Sequence, residues 1–124
     1  MSIATIADRK EQLAMVQSIA LPDETIEAVY DLKGSGTGFI GITTKRLVIY
    51  DKAFLRRLKA VVSIPYNRIY SVASQDESGL LSGRGFFGTS LLIITTAEGD
   101  KEFEFRSNDK AHDAHKRIVG HMVG

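Results

Sequence analysis

The chain contains no cysteine and no tryptophan, only two prolines, and no apolar run longer than the four residues Leu91–Ile94. Without cysteine there is no disulfide framework, no thiolate zinc site and no cysteine nucleophile. Four apolar residues fall far short of the roughly 20 that a transmembrane helix needs. The N-terminus has no basic segment leading into an apolar one, so no secretory signal peptide is expected. Charge of one sign is also missing: 16 Lys and Arg against 15 Asp and Glu leave a net charge of +1. The expectation is a soluble, cytoplasmic domain.

What is present is ordinary globular composition, 44% hydrophobic and 25% charged over 124 residues. That length fits one domain and can bury about two-thirds of its unfolded surface, so no metal or disulfide is required for folding. The near-neutral total hides an asymmetry. Between Lys45 and Arg68 lie Lys45, Arg46, Lys52, Arg56, Arg57, Lys59 and Arg68 against the single acid Asp51, giving +6, while the remainder of the chain carries −5. Such a split can orient a protein toward an anionic surface or toward an acidic face of its own kind.

Ile3, Ile6, Ala7, Leu13, Ala14 and Ile19 fall near helical spacing and predict a helix over 3–19, which Leu21-Pro22-Asp23 stops. From Thr25 the period changes to two. Ile26, Ala28, Tyr30 and Leu32 alternate with Glu27, Val29 and Asp31 as in a half-buried strand. Lys33–Gly38 reads as a turn, and Phe39–Thr43 with Leu47–Tyr50 as a hairpin. Ala60–Tyr66 and Ile69–Ala73 are two further strands, followed by a long Gly/Ser-rich loop over 75–88. Leu91–Thr96 is expected to be a central strand, joined by a hairpin at Glu98-Gly99-Asp100 to Lys101–Arg106 with Phe103 and Phe105 inward. Ser107, Asn108 or Asp109 can cap a last helix whose buried stripe is Ala111, Ala114, His115, Ile118, Val119 and Met122. Seven short strands and a closing amphipathic helix give a mainly β architecture, most simply a small antiparallel barrel with the helix across its open end.

Two segments carry a family resemblance. Gly41-Ile-Thr-Thr-Lys-Arg-Leu-Val-Ile-Tyr-Asp-Lys52 and Val62-Ser-Ile-Pro-Tyr-Asn-Arg-Ile69 resemble the T-x-K-R-L hairpin and the I-P-Y-x-x-I strand-turn-strand of the bacterial pleckstrin-homology (PH) family. The resemblance spans roughly Glu24 to Met122 and implies a PH-like bent antiparallel barrel of seven strands. Four strands form one sheet and three the other, with a break near Asn67, a C-terminal capping helix and an added N-terminal helix. Residues 1–22 are then an N-terminal helical extension and 23–124 the PH-like domain. Eukaryotic relatives read phosphoinositides through several basic residues in the first hairpin; here that hairpin, Lys33-Gly-Ser-Gly-Thr-Gly38, holds one lysine and no arginine. Some bacterial members of the family assemble as rings.

Other signals are weaker. Gly36, Gly38, Gly41 and Gly83, Gly85, Gly88 fit G-x-G-x-x-G, but both lead into strands rather than the helix N-terminus that a pyrophosphate site needs, so they read as turn glycines. His112 and His115 lie three apart on the last helix, and with His121 invite a metal reading, yet no further ligand motif completes a set. No metal or cofactor is expected. No nucleophile-and-base motif is visible, and the chain is read as a non-enzyme.

Two stretches are candidates for binding. Phe54-Leu55-Arg56-Arg57 sets apolar residues beside arginines, which suits an anionic membrane surface at about 1 kcal/mol per basic residue. With Lys45, Arg46, Lys52 and Lys59, it makes a candidate ligand or surface site of Lys45, Arg46, Lys52, Phe54, Arg56, Arg57 and Lys59; the alternative is that the apolar pair packs under its own loop. The loop 78–88 carries Leu80, Leu81, Phe86 and Phe87, too apolar for a solvated loop, and these are the candidates for self-association. The expected function is a non-catalytic binding or scaffolding module that forms a homo-oligomer, with a protein or peptide as a further partner. The alternative is a peripheral membrane module on anionic lipid. Nucleic acid is not the expected partner, because Tyr50, Tyr66 and Tyr70 occupy strand positions read as buried rather than as stacking platforms.

Overall fold

The pattern over residues 3–19 predicts one helix; the structure, a computed structural model, divides it. Ile6–Ala7 form a short strand β1, and the helix α1 runs only over Lys10–Ser18. The reason is a sheet edge. β1 lies parallel to β2 (Ile26–Asp31), Asp8 N–H donates to Val29 O at 3.1 Å, and Thr5 Oγ1 donates to Ile26 O at 2.8 Å, so β2's outer backbone groups are satisfied. The described residues are 5–33, 38–50, 61–76, 89–107 and 109–124, and they fall into two compact units, Met1–Tyr66 and Asn67–Gly124.

The first unit holds a five-stranded sheet in the order β1-β2-β3-β4-β5, with β3 Phe39–Thr43, β4 Arg46–Tyr50 and β5 Val61–Pro65. All pairings after β1–β2 are antiparallel. β2 is not half-buried as its alternation predicts, because α1 covers its second face. A register shift between Ile26 and Ala28 puts Ile26 and Val29 in one cluster with Val16 of α1 and Phe39 of β3. Phe39 also stacks on its cross-strand partner Tyr50, ring centroids 4.9 Å apart and planes 2° from parallel. α1 does not bury the stripe its apolar residues draw. Its buried residues are Val16 and Gln12, whose Nε2 donates to the buried Asp31 Oδ1 at 2.7 Å, while Met15 and Ile19 stay exposed.

Gly41 is what lets α1 lie this close. A Cβ built there would meet Val16 Cγ2 at 3.3 Å. Gly41→Val is therefore expected to cost about 2 kcal/mol by overpacking, and Gly41→Val with Val16→Ala to recover part of that loss in urea unfolding. Equal stability of Gly41→Val and wild type would show that α1 is not seated over β3.

The second unit holds a three-stranded antiparallel sheet, β6 (Ser71–Asp76), β7 (Ser90–Thr96) and β8 (Gly99–Phe105), with β7 in the centre as its apolar run predicts. The β7–β8 connection turns through Ala97 and Glu98 and closes on Gly99 at φ 111°, a left-handed backbone that only glycine adopts without strain. Helix α2 (Lys110–Val123) packs on this sheet, burying Ala111, Ala114 and Ile118, with Leu92, Ile94, Phe103 and Phe105 also buried in this unit. Asp109, at the start of the helix, makes no side-chain capping bond. Instead Ser90 Oγ, from β7, accepts the Ala111 N–H at 3.0 Å and donates to Ser107 O at 2.8 Å.

The chain is thus mainly β, with two sheets and two helices. The described strands number eight rather than seven, the extra one being β1, and they form one five-stranded and one three-stranded sheet.

Candidate functional site

The β3–β4 connection is the two-residue turn Thr44–Lys45, and the side chain before it shapes it. Thr43 Oγ1 accepts the backbone N–H groups of Lys45 and Arg46, both at 3.0 Å, and donates to Glu24 Oε2 at 2.6 Å. Glu24 comes from the Leu21–Glu24 turn, where Glu24 N–H donates to Leu21 O at 3.0 Å and Pro22 presets the bend. The guanidinium of Arg46 closes on this carboxylate with both oxygens, Nε to Oε2 at 2.8 Å and Nη2 to Oε1 at 2.9 Å. Its remaining donors reach Ile19 O and Ser63 Oγ, each at 2.8 Å. One arginine therefore ties the end of α1, the 21–24 turn, β4 and β5.

Burial raises the stakes. The Glu24 side chain is 0% exposed and that of Arg46 18%. The Arg46 hydrogen bonds outweigh the cost of burial and hold the Glu24 carboxyl down at about 2, with help from Thr43 and the Leu21 N–H. Tyr66 completes the network from the other side of the turn, its hydroxyl donating to Thr43 O at 2.6 Å with Arg46 O at 3.2 Å. Burial, with the charge of Glu27 behind it, pushes this phenol above its usual range, so it stays a neutral donor.

The two sequence motifs thus meet in one place. Thr43, Lys45 and Arg46 of the first and Tyr66 of the second form a clamp. Of the residues read from sequence as a basic binding site, Arg46 is committed to this internal clamp. Lys45 lies at the surface, its Nζ 3.2 Å from Asp23 Oδ2, with both side chains largely in solvent where such a pair contributes little. Lys52, Phe54, Arg56, Arg57 and Lys59 lie outside the described residues, as do Leu80, Leu81, Phe86 and Phe87. Tyr70, read as buried, is 67% exposed; it precedes β6, where the chain has left the core residue Ile69.

The second unit carries a constellation that the sequence reading missed. Ser74 Oγ lies 2.7 Å from His112 Nδ1 and 2.6 Å from His115 Nδ1. Asp76 accepts the His112 backbone N–H at 3.1 Å, and its other oxygen is 3.7 Å from His112 Nε2. The hydroxyl has one hydrogen and two lone pairs, so at most one of the two Nδ1 atoms accepts from it and at least one ring donates its Nδ1–H to it. The signal was there in spacing: Ser74 and Asp76 share a face of β6 at i, i+2, and the histidines are neighbours on α2 at i, i+3. With one Asp76 oxygen spent on the helix backbone, the arrangement fastens α2 to β6. Among the described residues no three His, Asp or Glu are grouped to hold a metal ion, and no helix is long and apolar enough to cross a membrane.

A family model described as bacterial PH domain matches residues 15–118. The chain belongs to this family. The match begins within α1, earlier than the Glu24 start that the motifs mark out. PH domains are generally non-catalytic binding modules for proteins or lipids, and membership suggests the same kind of role here. Among solved structures the chain is similar to the C-terminal domain of an unknown protein from Leishmania infantum, at 18% identity and a TM-score of 0.47, covering 93% of this chain and 94% of that one. No curated protein matches the chain.

Proposed function

We propose that this bacterial PH domain protein is a non-catalytic scaffolding module, a PH-like bent barrel that works as a homo-oligomer. Membership of a family of binding modules over residues 15–118 carries the reading. The +6 stretch over 45–68 beside a chain otherwise at −5 supports self-association, since one copy's basic stretch complements the acidic remainder of another. Leu80, Leu81, Phe86 and Phe87 are the apolar side chains assigned to the contact.

A second reading has its own observation. Phe54, Arg56, Arg57 and Lys59, with Lys45 and Lys52 nearby in sequence, combine apolar and basic character suited to anionic headgroups. In that reading the protein is cytoplasmic and peripheral to the membrane. Arg46 leaves both sites, because its guanidinium is occupied by Glu24, Ile19 and Ser63.

Light scattering after size exclusion separates the two. Self-association predicts a mass at least twice 13.6 kDa that falls as salt is raised. A monomer at all salt concentrations rejects the scaffold. The peripheral reading then stands or falls on whether Arg56→Glu with Arg57→Glu abolishes sedimentation with phosphatidylserine vesicles.

A further inference from the structure

Every open sheet has two edge strands, and each edge is a row of backbone donors and acceptors that another chain can pair with. Among the described strands, three of the four edges carry devices that discourage this. β1 is two residues long; β5 ends in Pro65; β8 holds Asp100, Lys101, Glu102 and Glu104. β6 has none of them. It is six residues, Ser71-Val-Ala-Ser-Gln-Asp76, in unbroken register with β7, without proline or bulge and uncharged as far as Gln75. Ser71, Ala73 and Gln75 are exposed, and so is Tyr70 beside them.

We infer that β6 is a docking edge for a second copy of this chain, pairing antiparallel with its own counterpart across a two-fold axis. The strand is its own complement. With Ala73 opposite Ala73 of the second copy, Val72 faces Ser74, Ser71 faces Gln75 and Tyr70 faces Asp76, so opposed residues share a face and no like charges oppose each other. The flank of α2 agrees. His112 and His115 hold this side of the helix to Ser74, and Val119 and Met122, half-buried, continue the same stripe toward Val123, 79% exposed. A two-fold axis normal to the sheet keeps both α2 helices on one side of the joined sheet, where these apolar side chains can face their counterparts.

This inference rests on the self-association reading and gives it a surface. Ala73→Lys places on the exposed strand face the residue natural edges use against pairing. Val123→Glu does the same to the helix flank. Both positions are exposed, so each variant should melt with wild type, and each is expected to halve the mass that wild type shows by light scattering. An oligomer unchanged by either substitution overturns the β6 edge and leaves self-association to another surface. A wild-type monomer overturns both.

Discussion

Arg46→Ala is expected to destabilise the protein by about 3 kcal/mol, the largest single-residue effect foreseen outside the apolar cores. The figure follows from what the substitution leaves behind. Removing one partner of a buried pair strands the other charge, at about 3–5 kcal/mol. Here Glu24 keeps the Thr43 hydroxyl and the Leu21 N–H, which sets the loss near the lower end. Arg46→Lys should recover less than half. An ammonium cannot span both Glu24 oxygens while also reaching Ile19 O and Ser63 Oγ, which the guanidinium does from fixed positions. Urea unfolding gives the test. A change in midpoint no larger than that of a surface Lys45→Ala would mean that Arg46 is not a keystone and would return it to the pool of basic residues available to a ligand.

Acid should remove much of the same stability through the other partner. The Glu24 carboxyl is depressed from 4.5 to about 2 in the folded chain. A depressed carboxylate contributes stability that is fully present above its unfolded value and is lost as pH falls toward its folded value. The window is therefore from about pH 5 down to about pH 2, and the loss is about 2–3 kcal/mol. Other carboxylates titrate there too, so the reading must be a difference. Glu24→Gln is less stable than wild type at neutral pH because it cannot accept from Arg46 with both oxygens. That gap should close as pH approaches 2, where wild-type Glu24 is itself losing its charge. Parallel stability curves for the two proteins across this window would show that Glu24 is not held down by Arg46.

The fold was legible wherever burial follows from side-chain pattern alone. α2, the strand pairs β3–β4 and β7–β8, and the central place of β7 all come from alternation or from a single apolar stripe. The misses share a cause: each depends on a partner distant in sequence. α1 buries Gln12 because Asp31 waits 19 residues away to accept its amide, and no hydropathy scale can anticipate that. Ile6 and Ala7 pair as a strand because β2 offers an edge, whatever their own helical spacing. Arg46 sits in a basic run and was read with it, yet its counter-charge lies 22 residues earlier. The motif that identifies the family is thus a record of how the first sheet is braced, while Ser74, Asp76, His112 and His115 join two segments nearly forty residues apart.

The cap on α2 has a consequence for how the second unit comes together. Its first turn begins on Ser90, a residue of β7 separated from Ala111 by a whole hairpin. A short helix is marginal in isolation, since nucleation must fix several dihedral angles for one hydrogen bond. α2 therefore has little reason to persist before β7 and β8 have paired. The expected order of events runs from sheet to helix, with the loop-closure entropy between residues 90 and 111 met first by strand pairing. The helix that closes the second unit is then expected to be the last part of it to become native and, by the same coupling, the part whose release would leave the three strands bare.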